Sequence, residues 1–287
     1  MQIARDQVAV VTGAGSGIGR ELALACARED QRLVLADVDA KGLAETQRLL
    51  ALDGERVLAM ACDVSKADRV EALAAATYEK FGAAHLLFNN AGVSALGPIW
   101  TTTLEDWEWT LGINLMGVVH GIRSFVPRML KQGGPAHVVN TASVAGHLSV
   151  PGSSVYCVSK HGTVTLSECM HHELRHIKSE IRVSILCPAF VKTGIMDSDR
   201  NRPSELANAN PHAAPYKAWG QRAIDAGRLS AADVARITLE GVKADRFYIF
   251  PHESTTLPAI EVRMRDILGG RDPTNPVAPG KVITDCL

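Results

Sequence analysis

Short runs of β-branched and apolar residues alternate with longer amphipathic stretches from the first residues onward, and no other feature restricts the fold as much. The runs are Val8–Thr12, Leu33–Ala36, Val57–Cys62, Leu86–Asn89, Val138–Thr141 and Val183–Cys187. Helical stretches fill most of the gaps. Strands joined through helices run parallel, and right-handed crossovers lay those helices on both faces of the sheet. The pattern predicts an α/β fold: one doubly wound parallel sheet, with residues 1–287 as a single domain. Two connections are long, 91–128 and 190–228, and long connections in a compact domain carry function or mobility. In the second, Asn201, Arg202, Pro203, Asn208, Asn210, Pro211, Pro215 and Gly220 break the chain into turns and short helical pieces, which fits a lid over a ligand. Ser230 reads as the N-cap of a further helix, an apolar strand follows at Phe247–Phe250, and an irregular tail opens at Gly269.

The chain of 287 residues is 46% hydrophobic and 21% charged, which suffices for a large core. A net charge of -1 without a basic stripe argues against a partner held through nucleic-acid phosphates. Charge at Arg5 and Asp6 and an apolar run of only Val8–Val11 do not make a signal-peptide core, and no run approaches a membrane span. Cys26, Cys62, Cys157, Cys169, Cys187 and Cys286 are scattered singly, without metal-ligand spacing. They are expected as reduced thiols of a cytoplasmic protein.

Directly after the first run stands Thr12-Gly13-Ala14-Gly15-Ser16-Gly17-Ile18-Gly19, which opens a helix over 20–28. Glycines there let the backbone approach a pyrophosphate, and the helix amides and dipole receive its charge. A glycine-rich turn alone is a weak signal, but here a strand precedes it and a helix follows. The next strand ends in Leu35-Ala36-Asp37. An acid there accepts hydrogen bonds from both ribose hydroxyls and repels a 2'-phosphate, which favours NAD over NADP. The bland alternative for Asp37 is a strand-end turn residue. Tyr156 and Lys160 stand four apart in a helical stretch, on one face. A neighbouring ammonium lowers the pKa of a phenol from its ordinary ~10, as general acid/base work requires. The spacing alone also fits a solvated pair.

Taken together, these motifs resemble the short-chain dehydrogenase/reductase family from about Val8 to Phe250. Gly13, Gly17 and Gly19 match its glycine turn, Asp63-Val64 its acid-hydrophobic pair beside the adenine, and Asn89-Asn90-Ala91-Gly92 its Asn-Asn-Ala-Gly segment. Asn114, Ser143, Tyr156 and Lys160 match its catalytic positions. The resemblance implies a Rossmann-type fold, and adds Ser16, Ile18, Asn90, Ala91, Gly92, Pro188, Val191 and Thr193 to the cofactor contacts. It implies hydride transfer between NAD and a secondary alcohol or ketone. Tyr156 would handle the proton, Ser143 would hold the reacting oxygen, and Lys160 would bind the nicotinamide ribose and lower the Tyr156 pKa. Asn114 would anchor a water leading from Lys160 to solvent. It further implies a homodimer or homotetramer assembled through two long helices. One departure is visible: Cys187-Pro188-Ala189 stands where the family has Pro-Gly, and a left-handed residue at Ala189 would cost energy.

His147, Leu148, Val150, Pro151 and Ser153 are expected along one wall of a roomy, mostly apolar substrate pocket, with Ile195, Met196, Tyr216 and Trp219 from the lid opposite. His147 could donate to a ligand or be an ordinary loop histidine. Gly97-Pro98-Ile99, Trp107, 125–129 and 248–251 look like the bacterial Cα-dehydrogenases that oxidise benzylic alcohols of lignin-type aryl ethers, which implies a bulky aromatic substrate. Two competing readings remain. His172-Glu173-Leu174-Arg175-His176 satisfies a zinc-peptidase pattern, although Ser179 and Arg182 stand where its extended form wants Gly and His. In the dehydrogenase reading His172 lies ~24 Å along the Tyr156 helix. A nucleotide sensor on the same fold is the other; intact Ser143, Tyr156 and Lys160 speak against it.

Overall fold

In the computed structural model, which describes residues 3–207 and 210–277, the seven expected runs form one parallel sheet. Asn208, Cys286 and the tail beyond 277 lie outside the described residues. The strands are β1 (Val8–Thr12), β2 (Arg32–Asp37), β3 (Val57–Ala61), β4 (Leu86–Asn89), β5 (Ala136–Thr141), β6 (Ile181–Leu186) and β7 (Tyr248–Ile249), in the order β3-β2-β1-β4-β5-β6-β7. The chain reverses its winding beside β1, whose Val10 is paired with Val34 on one side and Leu87 on the other. A crevice opens at the strand C-termini at such a switch point, the Rossmann-type position for a ligand.

Successive side chains of a strand point to opposite faces, so a strand covered on both must be apolar throughout. All five residues of β1 are buried. Val8 and Val10 pack with Val70 and Leu73 of α3 (Ala67–Phe81), Phe125 and Met129 of α5 (Gly117–Gln132) and Met170 and Leu174 of α6 (Ser154–His176). Ala9 and Val11 pack with Leu22 and Cys26 of α1 (Gly17–Arg28), Leu43 of α2 (Ala40–Leu50) and Val234 and Leu239 of α8 (Ala231–Lys243). Ser230 caps α8 as expected, in a reciprocal box with Asp233.

Several elements differ from the sequence reading. Helix α1 begins at Gly17, three residues early, so the glycine turn itself supplies its first turn. The first long connection holds α4 (Leu104–Leu111), a π-helical turn (Gly112–Met116) and the start of α5. In the second, three 3₁₀ turns at Ile195–Asn201, Ser204–Leu206 and Pro211–Ala213 lead into the full helix α7 (Ala214–Asp225). An unanticipated helix, α9 (Glu253–Leu268), follows β7 and contains Pro258. It packs Ala259 against Leu148, beside Phe190 and Val277. No helix among the described residues is long and apolar enough to cross a membrane.

Candidate active site

One cleft runs over the C-terminal ends of the strands. Its lining includes Gly13, Ser16, Gly17, Ile18, Asp37, Asp63, Val64, Asn90, Ala91 and Gly92 at one end, and Ser143, Tyr156, Lys160, Pro188, Val191 and Thr193 towards the other. Gly13 has φ +68°, and a Cβ there would sit 2.8 Å from the Ala91 Cα, so the turn can lie against the end of β4 only as glycine. Gly19 does not line the cleft. A Cβ on it would collide with the Gly13 carbonyl oxygen, so its task is close packing of α1 on the turn. Ser16 is the N-cap of α1 without a side-chain cap bond, and the first turn carries no acid. Its amides and dipole therefore face the cleft ready for an anion.

The turn is braced by residues that the motifs did not reveal. Thr12 Oγ1 accepts from the backbone N–H of Asn90 at 2.9 Å and of Ala91 at 3.2 Å. Arg20 donates to Thr46 Oγ1 at 2.9 Å and to the carbonyls of Gly15 and Gly42, and Thr46 donates to the Ala14 carbonyl at 2.8 Å. Asp37 accepts from Gly15 N at 2.7 Å and Asp39 N at 2.9 Å. Burial raises its pKa above the ordinary carboxylate range, opposed by these N–H bonds.

At the far end, the end of β5 and the first turns of α6 bring Ser143, Tyr156 and Lys160 together. The Ser143 hydroxyl donates to the Pro188 carbonyl at 3.3 Å and accepts from Ala145 N at 3.2 Å, and it lines the cleft together with the Tyr156 phenol. Lys160 Nζ donates to the Thr141 carbonyl at 2.8 Å and lies 5.7 Å from the Tyr156 ring centroid. The expected lowering of the phenol pKa is not what the chain's own groups produce. Burial dominates and pushes Tyr156 up to about 12, with the neighbouring Ser143 hydroxyl pulling the other way. The same burial pushes Lys160 down to about 8.

Asn114 sits behind the cleft and does not line it. Its Oδ1 accepts from Val93 N at 2.8 Å, and its Nδ2 donates to Val93 O at 2.9 Å and Ser159 Oγ at 3.0 Å. The Asn114 carbonyl accepts from Thr163 Oγ1 at 3.2 Å. Its side chain thus fastens the π-turn to β4's exit and to α6. Ala189 is not among the residues with positive φ, so the strain expected there does not arise. His147 lies outside the cleft, with Nε2 3.4 Å from Cys187 Sγ and its ring against Phe250 and Tyr248. Leu148 is buried beneath α9.

Val150, Pro151, Ser153, Ile195, Met196, Tyr216 and Trp219 do line the cleft, joined by Phe190, whose ring meets Trp219 edge-on at 5.7 Å. His172 and His176 are exposed on the distal part of α6. Among the described residues no three His, Cys, Asp or Glu side chains gather as metal ligands.

A dinucleotide fits these residues. The close-packed glycine turn, the uncapped α1 terminus and the Asp37 carboxylate line one end of the same cleft whose other end holds Tyr156. Fold and cleft together define a nicotinamide-dependent oxidoreductase. The chain belongs to the short-chain dehydrogenase/reductase family: the family described as short chain dehydrogenase matches residues 7–204. A short-chain dehydrogenase/reductase from Burkholderia phymatum, solved in complex with NAD, is similar over 97% of this chain and 100% of its own, with 46% identity and a TM-score of 0.93. A CLA biosynthesis dehydrogenase/reductase of Lactiplantibacillus plantarum is 31% identical over 92% of this chain and 94% of its own. A 1-deoxy-11-beta-hydroxypentalenate dehydrogenase of Streptomyces exfoliatus is 34% identical over 91% and 87%.

Proposed function

We propose that the chain transfers a hydride between NAD(H) and a bulky, apolar secondary alcohol or its ketone, with an aromatic substrate preferred. The observation that carries this reading is the convergence of Ser143, Tyr156 and Lys160 in the cleft that begins at the glycine turn. When bound, the nicotinamide supplies the two-electron chemistry by taking or giving a hydride, and its oxidised ring carries a positive charge. The protein handles the proton. As phenolate, Tyr156 takes the hydroxyl proton of the alcohol; as phenol, it returns a proton to the carbonyl oxygen of the ketone. Ser143 donates to that same oxygen, orienting it and stabilising its developing charge. Lys160, fixed on the Thr141 carbonyl, holds the ribose and adds positive charge near the phenol. Asn114 acts as a positioning residue that fastens the turn behind Lys160.

Asp37 supports NAD over NADP, because a carboxylate beside the ribose repels a 2'-phosphate. The NAD complex of the similar Burkholderia phymatum protein supports the same choice. Apolar walls at Val150, Phe190, Met196 and Trp219 support a bulky substrate. The relative named for dehydrogenating 1-deoxy-11-beta-hydroxypentalenate supports oxidation of a hydroxyl on a large carbon skeleton. We read residues 190–228 as the lid of a single domain. The assembly is a homodimer or homotetramer through α5 and α6, supported by the exposed Leu130 of α5 and Val158 of α6. The cytoplasm is the compartment this reading assigns, where unpaired thiols such as Cys26 and Cys169 persist.

Incubation with NAD and a panel of aryl carbinols, small aliphatic alcohols and steroid alcohols, read as NADH absorbance, tests the activity. Turnover of aryl carbinols is expected; turnover confined to the other two classes rejects the aromatic preference. Tyr156→Phe should lower kcat by roughly 10²–10⁴-fold while leaving NADH binding within a small factor. A mutant with near wild-type turnover refutes the assigned role.

A further inference from the structure

The lid rests on the segment between β4 and α4 and on α4 itself. Beside the substrate end of the cleft, the backbone N–H of Ser94 donates to Ser198 Oγ at 3.2 Å. Behind it, Arg202 Nη1 donates to Asp106 Oδ1 at 2.8 Å, and the two side chains are only 7% and 4% exposed. Arg202 is held from several sides. Its Nε donates to the Leu206 carbonyl at 2.6 Å, its guanidinium lies 4.8 Å from the Trp109 ring centroid, and Asp199 Oδ1 is 3.9 Å from Nη1. Asp106 is the third residue of α4 and also accepts from Thr103 N at 3.1 Å through Oδ2.

We propose that Arg202 is a positioning residue: through the buried ion pair with Asp106 it registers the substrate wall of the lid on α4, and so sets substrate affinity without touching substrate. The inference rests on the oxidoreductase reading only for what the wall binds. The first lid turn, Ile195–Asn201, buries a single residue, Ser198, so hydrophobic burial does little to hold it. A buried ion pair is a poor device for stability alone, because desolvation offsets the attraction and apolar residues of similar volume serve as well. It is an effective device for a two-state contact. Removing one partner strands the other charge in a dry site, so a lid held this way is seated or released, with little in between. Helix α4 runs directly into the π-turn that carries Asn114, so the wall and the floor of the cleft share one support.

The test uses the full chain in four forms: wild type, Arg202→Met, Arg202→Lys, and Arg202→Met combined with Asp106→Asn, which keeps an acceptor at the α4 cap. Hydrogen exchange reports the lid directly, NADH fluorescence reports cofactor binding, and 1-phenylethanol serves as the probe alcohol. Arg202→Met should speed exchange in 195–207 at least tenfold without changing β1 or β5. It should raise KM for the alcohol at least tenfold, with kcat within about threefold and NADH affinity unchanged. Arg202→Lys should fall between, because an ammonium keeps the charge but loses the planar fork. The double variant should regain melting temperature relative to Arg202→Met while its KM stays raised, which separates position from stability. If Arg202→Met does not fold, the double variant, with no stranded carboxylate, supplies the same readings. Unchanged lid exchange, or faster exchange with an unchanged KM, overturns the proposal. If wild type turns over no alcohol with NAD, the oxidoreductase reading fails, and the exchange data still decide whether Arg202 seats the lid.

Discussion

Tyr156 and Lys160 are displaced in opposite directions by one cause. Burial disfavours the charged form of each, so the phenol rises to about 12 and the ammonium falls to about 8. At pH 7 both therefore hold a proton, the arrangement suited to ketone reduction. Alcohol oxidation needs the phenolate, whose fraction grows about tenfold per pH unit below its pKa. The expected outcome is an oxidation kcat/KM that climbs through the neutral and mildly alkaline range, while reduction stays level as long as the phenol remains protonated. Lys160→Met, lacking the nearby cation, should displace the oxidation limb to higher pH; a pH-rate profile that does not move would remove Lys160 from the tuning. Asp37 makes a separate prediction. Asp37→Ser should shift the ratio of kcat/KM for NADP over NAD by on the order of 10²-fold, since a like-charge contact costs several kcal/mol. Competition between the two cofactors in a spectrophotometric assay measures it.

The strands could be read from sequence because a strand covered on both faces is mostly apolar, and the runs at 8–11 and 33–36 are apolar at every position. Ser230 was legible for a similar local reason, its hydroxyl and Asp233 forming a reciprocal cap. Ser230→Ala should cost about 1 kcal/mol, a fall in Tm of roughly 2–4 °C, with kinetic constants unchanged. Differential scanning calorimetry beside steady-state assays checks it. Helix α9 was not legible. Pro258 interrupts its pattern, and it buries only Thr256, Ala259 and Asp266, too few positions to imprint a helical period. The π-turn was hidden because its partners are remote in sequence: Asn114 within it bonds Val93 and Ser159, 21 and 45 positions away. The site divides the same way. Motif residues named both ends of the lining, whereas the Arg20–Thr46 brace and the Asp106–Arg202 pair join residues 26 and 96 positions apart and leave no local mark.

At the scale of the whole molecule, cofactor binding and folding are linked, because the cleft is assembled from the ends of strands that pair only in the native sheet. NADH at about 100 times its Kd should add about 2.7 kcal/mol of stability, a rise in Tm of roughly 5 °C or more. Thermal melts across a cofactor titration read this directly, and no shift would contradict dinucleotide binding in the cleft. The anchorage of Lys160 on the Thr141 carbonyl carries a further consequence. That carbonyl ends β5, Ser143 stands two residues beyond it, and the next amide, Ala142 N–H, donates to the Leu186 carbonyl of β6 at 2.8 Å. The Ser143, Tyr156 and Lys160 cluster is therefore anchored to the interior of the sheet, while the first turn of the lid buries only Ser198 and is tied through polar contacts at Ser198 and Arg202. On gentle heating, inactivation should begin as a recoverable weakening of alcohol capture by molecules that still retain their dinucleotide, and permanent loss should arrive only with global unfolding.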